Sequence, residues 1–467
     1  MSKMSKTTII QSVFFALYLC MTLFFYQERI YYTDTAFYLF NMVQKESFFV
    51  AHERYIAIFA EILPVLMLKL HAPLKWVSLA FSLNIGLFYL SIFLFLKKVI
   101  RSESAIWSLI FLLSLPVSDT FYFVAAELII GLAYTLLTAV FIEKYIENNQ
   151  SKYLIISILL IIFSIWVHPI IPLCILGIIG YCMAEKQFKV KKTLIFPMIT
   201  AIIVIFLRQQ GIIGDWYDKQ SAEDLSLFLQ KLQTGGWVYT EMISFFAQNY
   251  LWKSLFFVWE ILVFVYLFKE KKHLLLAYFL GITAFFLLLC YLRNTDSVNY
   301  AYAEAYLLLV AFWAMWALGK AYQSYFSQKW VAYLGILLIL ISLGRIAMNP
   351  FYSQKVKALN SLFAQVRAGK MGSKLIVTDK NTFFPKPLQG MDWALPYESL
   401  LQSAETENPI SVVLIDSFTR LSDSLFSQND LFQAAVWLKP ISQSKLNPFY
   451  FGKLPMEKYI ILPIFSD

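Results

Sequence analysis

Apolar runs long enough to cross a bilayer recur along this chain from residue 8 to residue 347, and they leave few folds open to it. A spanning helix needs about 20 mostly apolar residues. In lipid every backbone polar group must be paired within the structure, so such runs fold as helices. The candidate spans are residues 8–26, 74–96, 105–118, 123–142, 153–167, 170–184, 193–209, 251–268, 274–292, 301–318 and 330–347. The residue content agrees, with 59% hydrophobic and 15% charged residues. A soluble chain carries about 25% charged residues, and a water-soluble α/β enzyme is thereby excluded.

The formal net charge of +9 invites a nucleic-acid partner. The basic residues, however, sit in short clusters between the apolar runs, as the positive-inside rule produces. No nucleic-acid partner is expected. The clusters are Lys3/Lys6, Lys97/Lys98/Arg101, Lys144/Lys152, Lys186/Lys189/Lys191/Lys192, Lys269/Lys271/Lys272 and Lys320/Lys329. If all are cytoplasmic, an even number of crossings separates neighbouring clusters. That parity bears on residues 54–71, which resemble a span by hydropathy but carry Arg54, Glu61, Pro64, Lys69 and His71. Such groups are expensive against lipid. The segment therefore reads as a helix at the outer interface, within a first external loop running from about 27 to 73. Parity also makes 153–184 a hairpin broken at His168-Pro169, where proline lacks the N–H a helix needs.

The resulting expectation is an α-helical polytopic membrane protein. It has about 11 transmembrane helices, an interfacial helix in the first external loop and a small C-terminal α/β domain. The bundle occupies 1–349 and the external domain 350–467, where KLIVTD and SVVLIDS read as strands and 355–369 and 397–404 as helices. The N-terminus is cytoplasmic and the C-terminal domain external, in a bacterial inner or plasma membrane. The apolar run at Thr8–Tyr26 is too long for a signal peptide and reads as a retained first helix. Cys20, Cys174, Cys182 and Cys290 all fall inside apolar runs, so neither a disulfide nor a zinc site is expected.

Ionisable residues other than lysine concentrate in the outer turns. They include Asp34, His52, Glu53 and Arg54 in the first loop, Asp119 and Glu127 in the second, and His168 in the third. Asp215, Asp218, Glu223 and Asp224 follow in the loop 210–250, and Arg293, Asp296 and Glu304 flank a later turn. Interfacial carboxylates are functional candidates. Asp34 opens DTAFYLFNMVQ, whose apolar positions recur at helical spacing. It reads either as a helix cap or as a carboxylate held at the water–lipid boundary, to deprotonate an acceptor hydroxyl or orient a lipid-phosphate leaving group. The two roles are compatible. Glu260, inside a span, stands apart from this face.

A first helix, an external loop with an early Asp, an interfacial helix and a second span ending in basic residues together resemble the GT-C superfamily of glycosyltransferases. The protein O-mannosyltransferase and aminoarabinose-transferase type is the nearest. That type has Asp-Glu at the loop start and an aromatic after it; here Asp34 and Tyr38 match and Thr35 replaces the second acid. The resemblance implies Asp34 as catalytic base. It places His52, Arg54, Glu127, His168, Arg293 and Tyr300 at the substrate, with Arg293 and Tyr300 near the lipid phosphate. The donor implied is a polyprenyl-phosphate sugar, and the acceptor a glycan, lipid or protein at the outer face. No metal ligand is assigned, and a divalent-metal requirement stays open. Two other readings stand beside it. One is a transporter or flippase of lipid-linked or polar solutes, supported by Glu260. The other is an assembly factor docking through its C-terminal domain.

Overall fold

The computed structural model describes residues 6–124, 127–186, 192–209, 230, 233–234, 256–293, 300–378, 388, 392–406, 408–415, 424–435 and 438–462. The chain is mostly helical. Among the described residues six helical stretches are long and apolar enough to cross a membrane: Lys6–Phe24, Leu74–Ile100, Glu127–Asn148, His273–Cys290, Glu304–Tyr325 and Lys329–Arg367. Glu103–Ser114, Ser151–Trp166 and Ile171–Glu185 are apolar but shorter. Proline bounds all three of the short ones. Pro116 follows the Glu103–Ser114 helix, and Pro169 separates the other two.

The first loop is built from α2 (Tyr26–Ile30), α3 (Thr33–Lys45) and α4 (Ile58–Lys69), between α1 (Lys6–Phe24) and α5 (Leu74–Phe95). α4 folds back against the first half of α5, with Asn84 Nδ2 donating to the Phe59 carbonyl at 2.6 Å. Its buried side carries Ala60, Glu61, Pro64, Val65 and Leu68, while Phe59, Ile62, Leu66 and Leu70 form an exposed stripe at helical spacing. Such a stripe suits the acyl-chain boundary.

The bundle continues through α6 (Glu103–Ser114), α7 (Glu127–Asn148), α8 (Ser151–Phe163), α9 (Ile171–Glu185) and α10 (Ile195–Gln209). After the loop come α11 (Phe256–Lys269), α12 (His273–Arg293), α13 (Tyr300–Tyr325) and α14 (Lys329–Ala347). Contacts fix which helix ends lie together. Lys97 Nζ reaches Gln11 Oε1 at 3.2 Å and pairs with Glu103, while Lys320 Nζ pairs with Glu143 and, at 2.6 Å, with Glu185. Tyr145 and Thr193 share a hydrogen bond. The described basic clusters therefore gather at one end of the bundle, and the first loop stands at the other.

Beyond Asn349, whose Oδ1 accepts from Phe351 N at 3.3 Å, α15 runs Pro350–Arg367. β1 (Lys374–Val377), α16 (Leu395–Ala404) and β2 (Ser411–Leu414) form a strand–helix–strand unit with parallel pairing, and β5 (Ile460–Ile461) adds to the free edge of β1. Parallel strands need such a crossover. β3 (Leu431–Phe432) and β4 (Ile441–Ser442) make a small antiparallel pair. α16 packs on both β2 and α3, so residues of the first loop and of the C-terminal segment share one apolar core. Phe40 lies among Tyr397, Phe432 and Phe451 with ring centroids 4.9, 5.9 and 5.8 Å apart.

Candidate functional site

α3 places the central carboxylate. Asp34 lies in its first turn and is half-buried. The cap position belongs to Tyr32, which makes no side-chain capping bond. Asp34 is thus two positions further inside the helix than the cap. Tyr38 follows one turn later, on the same face. Its hydroxyl donates to Glu127 Oε1, at the start of α7. Arg54 Nη1 meets the other carboxylate oxygen of Glu127 at 3.2 Å. Burial, and then the negative charge of Glu127, hold the Tyr38 hydroxyl well above its ordinary pKa, and Asp34 adds to that effect. Tyr38 therefore remains a proton donor at neutral pH.

Arg54 reaches this position through an unusual backbone. His52 and Glu53 both have positive φ, 53° and 56°. Two consecutive non-glycine residues in the left-handed region are uncommon and strained. They reverse the chain so that Arg54, which is buried, points inward, while His52 stays half-buried at the rim and Glu53 exposed. Just beyond, Glu61 turns its carboxylate into the protein and accepts from Phe49 N at 2.8 Å. Phe49 in turn packs edge-on against Tyr38, at 5.4 Å. Burial raises the Glu61 pKa to about 8, with Glu127 contributing.

The remaining expected residues divide. His168 is buried, and its Nδ1 accepts from Ile170 N at 3.3 Å. It sits between Val167 and Ile171, which press on Gly131, one turn along α7 from Glu127. His168 is therefore a neighbour of the Glu127 helix at the same end. Asp119 belongs to a different node: its Oδ1 accepts from Asn349 Nδ2 at 2.9 Å and from the Tyr352 hydroxyl at 3.3 Å. Glu304 closes that node by accepting from the backbone N–H groups of Ser118, Asp119 and Thr120, at 2.6, 3.0 and 3.0 Å. Arg293 ends α12 and Tyr300 begins α13. Their side chains, like Asp215, Asp218, Glu223, Asp224 and Asp296, lie outside the described residues.

Asp34, Tyr38, Arg54 and Glu127 thus form one cluster, drawn from α3, the reversed segment and α7. A half-exposed carboxylate beside a buried proton donor and a guanidinium can accept a proton from a bound hydroxyl and steady negative charge nearby. Among the described residues no three His, Cys, Asp or Glu side chains converge on a metal position.

Several participants escaped the sequence reading. Glu61 gave a signal, the cost of a carboxylate in an apolar helix. Arg29 gave none; it is fully buried and donates from Nε to the Phe121 carbonyl and from Nη1 to Ser82, tying the first loop to α5 and the 119–123 turn. Glu398 and Glu405 also gave none. Glu405 accepts from the Tyr31 hydroxyl at 2.5 Å and from Gln27 Nε2 at 3.1 Å. Compared with known proteins, the chain matches no protein-family model and no curated protein.

Proposed function

We propose that the chain is a membrane glycosyltransferase of GT-C type, moving a sugar from a polyprenyl-phosphate donor to an acceptor at the extracytoplasmic face. The observation that carries this reading is the cluster at the head of α3. Asp34 is half-exposed at the end of the bundle opposite the basic clusters, one turn before a tyrosine bound to an Arg54–Glu127 pair. In the proposed step Asp34 takes the acceptor hydroxyl's proton as that oxygen bonds to the anomeric carbon. The bond from that carbon to the phosphate oxygen breaks, and its electron pair leaves with the polyprenyl phosphate. Arg293 and Tyr300 are proposed, by resemblance, to hold that phosphate, and His52 and His168 to line the acceptor side. The full arrangement proposed is eleven crossings, a cytoplasmic Lys6 end of α1 and residues 350–467 as an external domain.

Asp34→Asn tests the reading. The substitution keeps size and the helix's first-turn geometry, losing about 0.3–1 kcal/mol of charge–dipole interaction. A general base contributes about 10²–10⁴-fold in rate. The variant is expected to be folded and to transfer sugar at least a hundredfold more slowly from a lipid-linked donor. Near-normal transfer by the variant would remove Asp34 from the chemistry.

A second reading, as a transporter, draws on Glu260, whose Oε2 lies 3.5 Å from Thr283 Oγ1 between α11 and α12. It draws also on a polar cavity of about 450 Å³ at the basic end, lined in part by Glu143, Glu185 and Lys320. Solute movement into sealed vesicles, with no sugar transfer from any lipid donor, would favour it.

A further inference from the structure

We infer that the C-terminal segment sets the position of Asp34, with Glu398 as a positioning residue clamped on the head of α3. This rests on the reading of Asp34 as the base. The first N–H groups of any helix lack partners inside it, and a tyrosine at the cap position does not serve them here. The Thr33 N–H, one residue before Asp34, donates instead to Glu398 Oε1 at 2.6 Å, across 365 residues of sequence. Thr33 has φ of 41°, a left-handed conformation that a β-branched residue rarely holds unless its surroundings impose it.

Glu398 is itself fixed. It is fully buried on α16, and its Oε2 lies 2.5 Å from Lys355 Nζ, on α15. The Lys355 ammonium stands 5.0 Å over the ring of Tyr32, the residue before Thr33. The far end of α3 is held by the same segment. Asn447 Nδ2 donates to the Val43 carbonyl at 2.8 Å and to Glu46 Oε1 at 3.0 Å, and Asn447 N donates to Gln44 Oε1 at 2.7 Å. A buried ion pair contributes little stability beyond an apolar pair of similar volume. What this one supplies is geometry: a charged acceptor placed on the backbone beside Asp34, with Asn447 stopping α3 from sliding along its axis. Glu398 bonds the backbone one residue before Asp34, and through that bond it sets the carboxylate's place.

Hydrogen exchange of the full chain in nanodiscs, read beside kinetics, tests this. In Glu398→Ala the amides from Thr33 to Phe37 should exchange at least tenfold faster, with α1 and α5 unchanged as evidence of a folded bundle. Glu398→Gln should be intermediate, because its amide oxygen still accepts from Thr33 while the pairing with Lys355 is lost. Transfer should follow in the same order through kcat, at least tenfold down in the alanine variant, with donor KM unchanged and the glutamine variant partly restored. If the alanine variant does not fold, the glutamine variant alone decides, by faster exchange at Thr33–Phe37. Unchanged exchange at α3 would overturn the inference, as would loosened exchange with unchanged kcat. If the wild type transfers no sugar, the glycosyltransferase reading fails by itself, and exchange still decides whether Glu398 holds Asp34 in place.

Discussion

Glu61 shows how the first loop handles charge at the scale of one residue. Its side chain is buried, one oxygen accepts from Phe49 N, and Oε1 has no hydrogen-bond partner among the described residues. Desolvation disfavours the charged form, and the pKa rises from 4.5 to about 8. The folded protein therefore holds this proton more tightly than the unfolded chain does. The stability linked to it is fully present below pH 4.5 and declines as pH rises towards about 8. Within that window the decline approaches about 1.4 kcal/mol per pH unit. Glu61→Gln keeps the acceptor for Phe49 and never ionises. Its melting temperature in detergent should match the wild type near pH 4.5 and exceed it increasingly towards pH 8. Parallel melting curves across that range would mean that Glu61 is already ionised at neutral pH.

At the scale of elements, helix approach is set by glycines. On Gly319 in α13 an added Cβ would lie 2.1 Å from Ser108 Oγ and 2.6 Å from the Ser104 carbonyl oxygen of α6. Small residues permit such close backbone contact in membrane bundles. Backbone cannot rotate away, so Gly319→Ala should force α6 and α13 apart at a cost of about 1–3 kcal/mol. Gly281 in α12 has nothing within 4 Å of the same added atom. There alanine should be neutral, or stabilising by up to about 1 kcal/mol through helix propensity. Thermal unfolding of the two variants side by side checks the contrast. These elements were largely legible from the apolar runs and their breaks. The helices at Leu74–Phe95 and Lys329–Ala347, the break at His168-Pro169 and the strands Lys374–Val377 and Ser411–Leu414 lie within a few residues of the expected runs. The site was legible only where its residues are local. Asp34 and Tyr38 share a helical face that spacing reveals, whereas Glu398 reaches Thr33 by tertiary folding across 365 residues, and no local pattern in LPYESLL marks that carboxylate.

For the whole molecule, the two ends of the bundle differ in chemistry, and that difference predicts which side of a membrane each would face. Lys97, Lys186, Lys272 and Lys320 cluster at one end, through Gln11 and Glu103 and around the cavity between Glu143 and Glu185. The other end carries Asp34, Glu127, Asp119 and Arg345, and it is tied to residues 350–462 through Asn349, Tyr352 and Asn447. Basic residues are retained on the cytoplasmic side during insertion, so the lysine-rich end should be cytoplasmic and the C-terminal segment external. Arg101 and Lys439 are both exposed, the first just after the helical stretch Leu74–Ile100 and the second in the C-terminal segment. Each can be changed to cysteine in a background where the exposed Cys20 is replaced by serine. In sealed cells a membrane-impermeant maleimide should label Lys439→Cys directly and Arg101→Cys only after permeabilisation. The pair also probes α4, because the first loop returns to its starting side only if that helix does not cross. Nine proposed crossings separate Arg101 from the C-terminal segment, so labelling of Arg101→Cys from outside together with protection of Lys439→Cys would make α4 a crossing helix. That outcome would end the external first loop before α4, leaving Asp34 in the shorter segment between α1 and α4.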